Sequence, residues 1–146
     1  MRRLFVLVLL LMCCLSACAR FKADHDVDFE NADRFFMEKK YSEAATAYDQ
    51  IARGAQGSER GARALFAVAS LYAFYDNPHK DYARALQEFD DFLRIYPDNE
   101  RALDAKNWRY ILMMVLDLKK ENGRLLQSIN ELKQIDIRHE ERRKAR

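Results

Sequence analysis

The chain has 146 residues, of which 25 are Lys or Arg and 23 are Asp or Glu, giving a net charge of +2. Because Arg2 and Arg3 account for this excess, the rest of the chain is balanced. A nucleic-acid partner, which needs a positive face that releases counterions, is therefore not expected. With only four Gly and two Pro, the chain is predicted to form one all-α domain.

The first 17 residues have the pattern of an export signal. Arg2 and Arg3 are basic, an uninterrupted apolar run follows from Leu4 to Leu15, and Ser16 and Ala17 are small. The apolar run is too short to span a bilayer. We therefore exclude this segment from the predicted fold.

The residues Leu15-Ser16-Ala17-Cys18 resemble a bacterial lipobox. This resemblance implies that the Cys18 thiol carries diacylglycerol, that the signal is removed before Cys18, and that the new amine is acylated. Two or three acyl chains anchor a protein stably, and no other cofactor is expected. By resemblance to enterobacterial lipoproteins, Ala19 in place of Asp implies the outer membrane, with the protein facing the periplasm. The mature chain would then contain no free thiol, which excludes disulfides and thiol catalysis.

Residues 18–27 are predicted to be a lipidated tether, and residues 28–112 a repeat domain. Two stretches of that domain, starting at Tyr41 and Tyr82, carry apolar residues at the same relative positions. The matching residues are Tyr41, Ala44, Ala45, Tyr48, Ile51 and Ala52, and Tyr82, Ala85, Leu86, Phe89, Phe92 and Leu93. This spacing is one stripe of an α-helix, and its recurrence indicates an internal repeat. A small Ala in each stripe allows two helices to approach closely.

These stretches resemble the second helix of a tetratricopeptide repeat. The family has four characteristic positions in and after this helix, and Tyr82, Ala85, Phe89 and Pro97 match all four. In the first stretch, Tyr41, Ala44 and Tyr48 match three of them. Upstream, Ala32 and Phe35 occupy the small and aromatic positions of the first helix. The resemblance implies antiparallel helix hairpins of an α-solenoid, with two to three units.

The second unit is predicted to begin with a long helix over about 58–75 that turns Leu65, Phe66, Ala69 and Tyr72 inward. A loop containing Pro78 follows, and Asp81 is expected to cap the next helix through its carboxylate. Asp98 or Asn99 is expected to cap the last helix in the same way.

The region 113–146 is predicted to be a long helix or a coiled coil with a basic tail. Its heptad seam consists of Ile111, Val115, Leu118, Asn122, Leu125, Ile129 and Leu132. Asn122 falls at an a position, where a polar residue can fix register, whereas Gly123 could equally end a helix. We expect the helix to continue, because the register persists beyond Gly123. A seam of this kind is compatible with self-association of the protein through this helix.

The sequence offers little for catalysis, and we expect the protein not to be an enzyme. Its three His residues lie in the tether, a loop and the tail, and the motifs of zinc peptidases, phosphate loops and nucleophile elbows are missing from the sequence. Trp108 and the tyrosines are explained first as core, although Tyr72, Tyr75 and Tyr110 could line a groove.

The lipobox and the repeats together resemble the periplasmic tetratricopeptide lipoproteins, including the BamD-like lipoproteins of the outer-membrane β-barrel assembly machinery. This resemblance implies a non-catalytic scaffold that binds protein or peptide partners in the cell envelope. The heptad tail suggests an alternative, a lipoprotein accessory to an envelope sensor kinase of a two-component system. A cell-wall enzyme or its activator is a second alternative.

Overall fold

The computed structural model describes residues 27–145, and within this range the chain forms five α-helices and no β-strand. Helix α1 covers 27–37, α2 is Tyr41–Gly54, α3 is Glu59–Ala73, α4 is Tyr82–Ile95 and α5 is Ala102–Lys144. The prediction of an all-α chain that ends in a long helix is confirmed for these residues. The third helix is slightly shorter at both ends than predicted.

Successive helices run antiparallel. The ring of Tyr41 at the start of α2 lies 5.9 Å from that of Phe74, which directly follows α3. The Gly57 N–H, just before α3, donates a 3.0 Å hydrogen bond to the hydroxyl of Tyr96, just after α4. The beginnings of α2 and α3 therefore lie beside the ends of α3 and α4, which produces a series of helical hairpins.

Helix α5 continues this pattern along α4. Phe89 of α4 stacks on Trp108 near the start of α5, and Tyr82 at the start of α4 lies 4.9 Å from the Lys119 ammonium further along α5. One unbroken helix passes through residue 112, where the predicted repeat domain ends and the predicted helical segment begins. The helix also continues through Asn122 and Gly123, as expected.

The core combines alanines with large aromatic rings. The alanines that are fully buried lie on all five helices: Ala32, Ala44, Ala62, Ala64, Ala69, Ala85 and Ala105. Their small side chains let the helix axes approach, and aromatic rings fill the space beside them. Phe66 lies edge-on to both Phe89 and Phe92, with ring centroids 5.4 and 5.6 Å apart. The hairpins are therefore joined by ring contacts across α3 and α4.

The helix starts differ in how they are capped. The Asp81 carboxylate accepts from the N–H groups of Ala83 and Arg84, which confirms the predicted cap of α4. The expectation that Asp98 or Asn99 caps α5 in the same way is wrong, since Arg101 holds that position and makes no side-chain cap. Asn99 instead accepts from the Arg101 N–H and shapes the preceding turn. Backbone hydrogen bonds from the Asn99 N–H to the Tyr96 carbonyl and from the Ala102 N–H to the Asn99 carbonyl complete this turn.

Glycine is required in the turn that joins α2 to α3. Gly57 has φ +82°, a backbone conformation that costs an L-residue energy. A Cβ on Gly61 would lie 2.2 Å from the Ala55 carbonyl oxygen and 2.6 Å from the Tyr96 hydroxyl. The close approach of α3 to this turn and to the end of α4 therefore depends on Gly61.

Candidate protein-binding surfaces

The predicted lipid site, Cys18, lies outside the described residues, together with the signal boundary and nearly all of the tether. The described residues begin at Val27, which is helical although the sequence predicts it to belong to the tether. In the range 27–145, no helix is both long and apolar enough to cross a membrane.

The residues of the repeat signature divide into buried and partly exposed sets. Ala32, Tyr41, Ala44, Tyr48, Ala85 and Phe89 are buried. Phe35 and Tyr82 are half-buried at the edges of the core, and Pro97 is exposed directly after α4. The Tyr48 hydroxyl donates a hydrogen bond to the Asp33 carboxylate. Burial is the largest cause that raises the pKa of Tyr48, and this hydrogen bond raises it further. The signature therefore builds the hairpins, and its side chains leave little surface for a partner.

A groove opens between the first and second hairpins, where α2, the end of α3 and the start of α4 meet. It encloses about 290 Å³ and is lined by Tyr41, Ser42, Ala45, Thr46, Asp49, Leu71, Tyr72, Asn77, His79 and Arg84. We call it the inter-hairpin groove. Buried Ala45 and Leu71 form an apolar floor, whereas Ser42, Thr46 and His79 are exposed at the rim. A volume of this size holds one or two side chains.

Arg84 forms the charged wall of the inter-hairpin groove. Its guanidinium lies 4.2 Å from the centre of the Tyr72 ring, a cation–π contact, and 3.6 Å from a carboxylate oxygen of Glu88 one turn further along α4. Burial raises the pKa of Glu88, and Arg84 opposes that rise. Burial also raises the pKa of the Tyr72 hydroxyl. The wall therefore presents a cation that lies 3.6 Å from the partly desolvated Glu88 carboxylate and shares the groove with the carboxylate of Asp49.

The loop before α4 closes one end of the inter-hairpin groove. Asn77 is only 1% exposed, yet its amide donates to the Leu71 carbonyl and accepts from the His79 N–H, so its polar atoms are paired. Asp76 accepts from Lys39 at 2.8 Å and from the Tyr41 hydroxyl at 3.1 Å. The pKa of Asp76 is lowered by these two bonds, that of Lys39 first. The loop is thus tied to the α1–α2 turn, and this end of the groove is fixed in shape.

A second depression lies on the outer side of the first hairpin. It encloses about 560 Å³ and is lined by Asp28, Asn31, Arg34, Phe35, Ala47, Gln50, Ile51, Gly54 and Arg60. Its lining includes Asp28, one residue after the start of the described range. The inter-hairpin groove differs from it in being lined by parts of both hairpins and by the loop before α4.

The seam residues of α5 form a third surface. Leu112 is the last buried residue of this helix, and Val115 is half-buried. The seam residues that are exposed, between 48% and 62%, are Ile111, Leu118, Leu125, Ile129 and Leu132. Asn122 lies on the same exposed face. The heptad seam is thus presented to solvent along one continuous helix.

The aromatic residues considered as core or groove are distributed differently from the prediction. Trp108 is 39% exposed and covers Phe89 with one face of its ring, so it lies at the edge of the core. Tyr72 does line the inter-hairpin groove, whereas Tyr75 and Tyr110 are exposed away from it. The groove's main polar feature, Arg84 over Tyr72, was not found from the sequence, since an Arg two residues after Tyr82 carries no recognisable signal there.

Among residues 27–145, no group of three or more His, Cys, Asp or Glu side chains is placed to hold a metal ion. Comparisons of the chain with protein-family models, with curated proteins and with solved structures gave no match.

Proposed function

We propose that this protein is a lipid-anchored, non-catalytic scaffold of the bacterial cell envelope that holds a protein or peptide partner on its helical hairpins. The inter-hairpin groove is the observation that carries this proposal. It combines an apolar floor, an aromatic wall and one cation, which together are suited to a protruding segment of another protein. The antiparallel order of the helices and the burial of Ala44 and Ala85 support an arrangement of tetratricopeptide type.

The groove favours a peptide that inserts one apolar side chain and places a carboxylate near its mouth. The apolar side chain would cover Ala45 and Leu71, whose exposed surface is small. The carboxylate would pair with Arg84, which is held above Tyr72 and has Glu88 at 3.6 Å. A charge-assisted bond at this position fixes the direction of the bound segment, because Arg presents a planar fork of donors.

The anchor and location belong to the same proposal and are supported by the sequence. The resemblance of Leu15-Ser16-Ala17-Cys18 to a lipobox implies acyl chains on Cys18, and by the same resemblance Ala19 favours the outer membrane. The tether would hold the hairpins at the periplasmic face of that membrane. A membrane-bound scaffold in that position would act in outer-membrane or envelope assembly.

Site-specific photocrosslinking in intact cells tests the proposal. A photoreactive residue at Thr46, on the rim of the groove, should give adducts with a defined envelope protein, identified by mass spectrometry. The matched control is Gln87, which is exposed on α4 and does not line the groove. Charge reversal by Arg84→Glu should remove the Thr46 adduct. The same adducts at Thr46 and Gln87, or none at Thr46, would overturn the proposal.

The identity of the adduct also separates the scaffold from a second candidate. The exposed seam of α5 favours a role as accessory to a sensor kinase, whose signalling helices could pair with it. In that case crosslinks from Leu125, on the seam, would contain kinase peptides, while Thr46 would give none. Adducts of assembly components at Thr46 would support the scaffold.

A further inference from the structure

The outer part of α5 extends away from the rest of the described chain. From Asp117 to the end of the helix every residue is exposed, and 27 residues from Leu118 onward span about 40 Å at 1.5 Å each. Most of the stability of a helix in a protein comes from packing of its apolar face. This segment therefore carries an apolar face that its own chain does not cover within the described residues.

The residue types along the seam specify a particular pairing. Val115 and Ile129, at a positions, are β-branched, and the neighbouring a position is Asn122. The d positions are Leu118, Leu125 and Leu132. β-Branched residues at a with Leu at d favour two parallel strands, and a single Asn at a fixes their register.

Asn122 distinguishes parallel from antiparallel pairing. In a parallel pair in register, an a position meets the same a position of the second copy, so two Asn122 amides can bond to each other. In an antiparallel pair an a position meets a d position, and the amide would face a leucine. A buried amide without a hydrogen-bond partner is costly. The seam is therefore complementary to itself in one orientation only.

Helix α4 leaves room for the second copy. It packs on the side of α5 that carries Leu112 and Lys119, both at e positions, as the 4.9 Å contact between Lys119 and Tyr82 shows. Leu118, at the neighbouring d position, remains 61% exposed. Val115 is half-buried, whereas every seam residue from Leu118 onward is exposed, so a second helix can lie along this part of the seam without displacing α4.

The charges beside the seam are compatible with a second copy. In a parallel pair, each g residue faces the e residue five positions later on the other chain. These opposed residues are Met114 with Lys119, Glu121 with Leu126, and Ser128 with Lys133. None of these pairs opposes like charges. The f positions on the far side are Lys120, Gln127 and Gln134, all polar, as expected for a solvent face.

We propose that α5 is a dimerisation helix, which pairs in parallel and in register with α5 of a second copy from Val115 to Leu132. The two copies then present their inter-hairpin grooves at the same end of the coiled coil. The pairing does not depend on what the groove binds. With three pairs of a and d layers it is short, so it dissociates on dilution and is favoured where copies are concentrated on one membrane.

Disulfide trapping of the full chain in its own membranes tests this pairing. Leu118→Cys and Leu132→Cys should each give a product with the mass of two chains, because both d positions meet themselves in a parallel pair. The matched controls are Lys120→Cys and Gln134→Cys on the polar side, and the unmodified chain sets the background from its own cysteines. A product from only one seam position, equal products from the polar side, or a product of another mass would overturn the proposal.

Asn122→Asp provides a second, independent measurement. Two carboxylates facing each other at pH 7 should lower the trapped fraction at Leu132→Cys at least tenfold, because like charges that close together repel each other. Asn130→Asp makes the same change at an exposed position off the seam and should have no effect. If both substitutions act alike, or if Asn122→Asp changes nothing, α5 does not pair in this register.

Discussion

Replacing Phe89 by Ala should test whether the hairpins share one core. Phe89 is fully buried on α4, where its ring lies 5.4 Å from Phe66 of α3 and 6.2 Å from Trp108 of α5. Removing a buried Phe side chain costs about 3–5 kcal/mol through lost transfer energy and the remaining cavity. Since the ring contacts two other helices, we expect the upper half of this range. That loss is a large part of the roughly 5–15 kcal/mol by which a domain is stable.

Urea unfolding at 25 °C, followed by far-ultraviolet circular dichroism and by fluorescence, measures this change. Trp108 is the only tryptophan of the chain, so fluorescence reports directly on the α4–α5 contact. The Phe89→Ala variant should unfold at lower urea with an unchanged slope, and its Trp108 emission should shift to longer wavelength before unfolding begins.

Tyr75→Ala is the matched control, since it deletes an aromatic ring that is 79% exposed and should change the stability by less than about 0.5 kcal/mol. Phe89→Leu, which retains part of the volume, should fall between the two. The shared-core reasoning is refuted if Phe89→Ala costs less than about 1 kcal/mol, or no more than Tyr75→Ala.

Four further predictions concern single sites. Asp81→Ala should cost about 1 kcal/mol in urea unfolding through loss of the α4 cap, and an unchanged midpoint would contradict this. Gly61→Ala should lower the free energy of unfolding by roughly 1–3 kcal/mol, because its Cβ would collide with the Ala55 carbonyl. Gly123→Ala, whose Cβ would lie in open space, should stabilise α5 by up to about 1 kcal/mol. Changes of the same sign in the two variants would be inconsistent with the structure. Burial raises the pKa of Glu88 in the folded protein. Its contribution to the free energy of unfolding is therefore fully present below the pKa that Glu88 has in the unfolded chain, and it is lost as pH rises through the folded pKa. Glu88→Gln should therefore be more stable than wild type at pH 7 but not near pH 4, as unfolding at both pH values would show. Cys18→Ala should abolish membrane retention without altering the circular dichroism spectrum, and retention of the variant in membrane fractions would refute the lipid site.

The helices themselves could be predicted because local spacing determines which residues share a face. Tyr41, Ala44 and Tyr48 fall on one stripe of a 3.6-residue helix, and the structure buries all three. The cap by Asp81 was equally local, since a carboxylate reaches the N–H groups two and three residues ahead. Local rules were wrong at the start of α5, where a turn built from backbone bonds competes with side-chain capping.

The inter-hairpin groove could not be predicted, because it depends on contacts between distant parts of the chain. Asp76 meets Lys39 and Tyr41 only after the loop before α4 has folded against the α1–α2 turn. Arg84 reaches Tyr72 across that same loop. Neither contact follows from periodicity, since each requires the lengths of two turns and the packing of three helices.

The same packing rule explains both the buried alanines and the exposed seam. Ala44 and Ala85 are buried on helices that pack against their neighbours, α2 against α3 and α4 against both α3 and α5, whereas among the described residues α5 packs against α4. The regular apolar stripe from which a helix can be predicted is also an apolar surface that packs against another helix. The two proposed surfaces can be separated by experiment: Arg84→Glu should remove crosslinks at Thr46 and leave Leu118→Cys disulfides unchanged, while Asn122→Asp should do the reverse. If either change abolished both signals, the groove and the seam would belong to one interface and the proposal of two independent surfaces would have to be replaced.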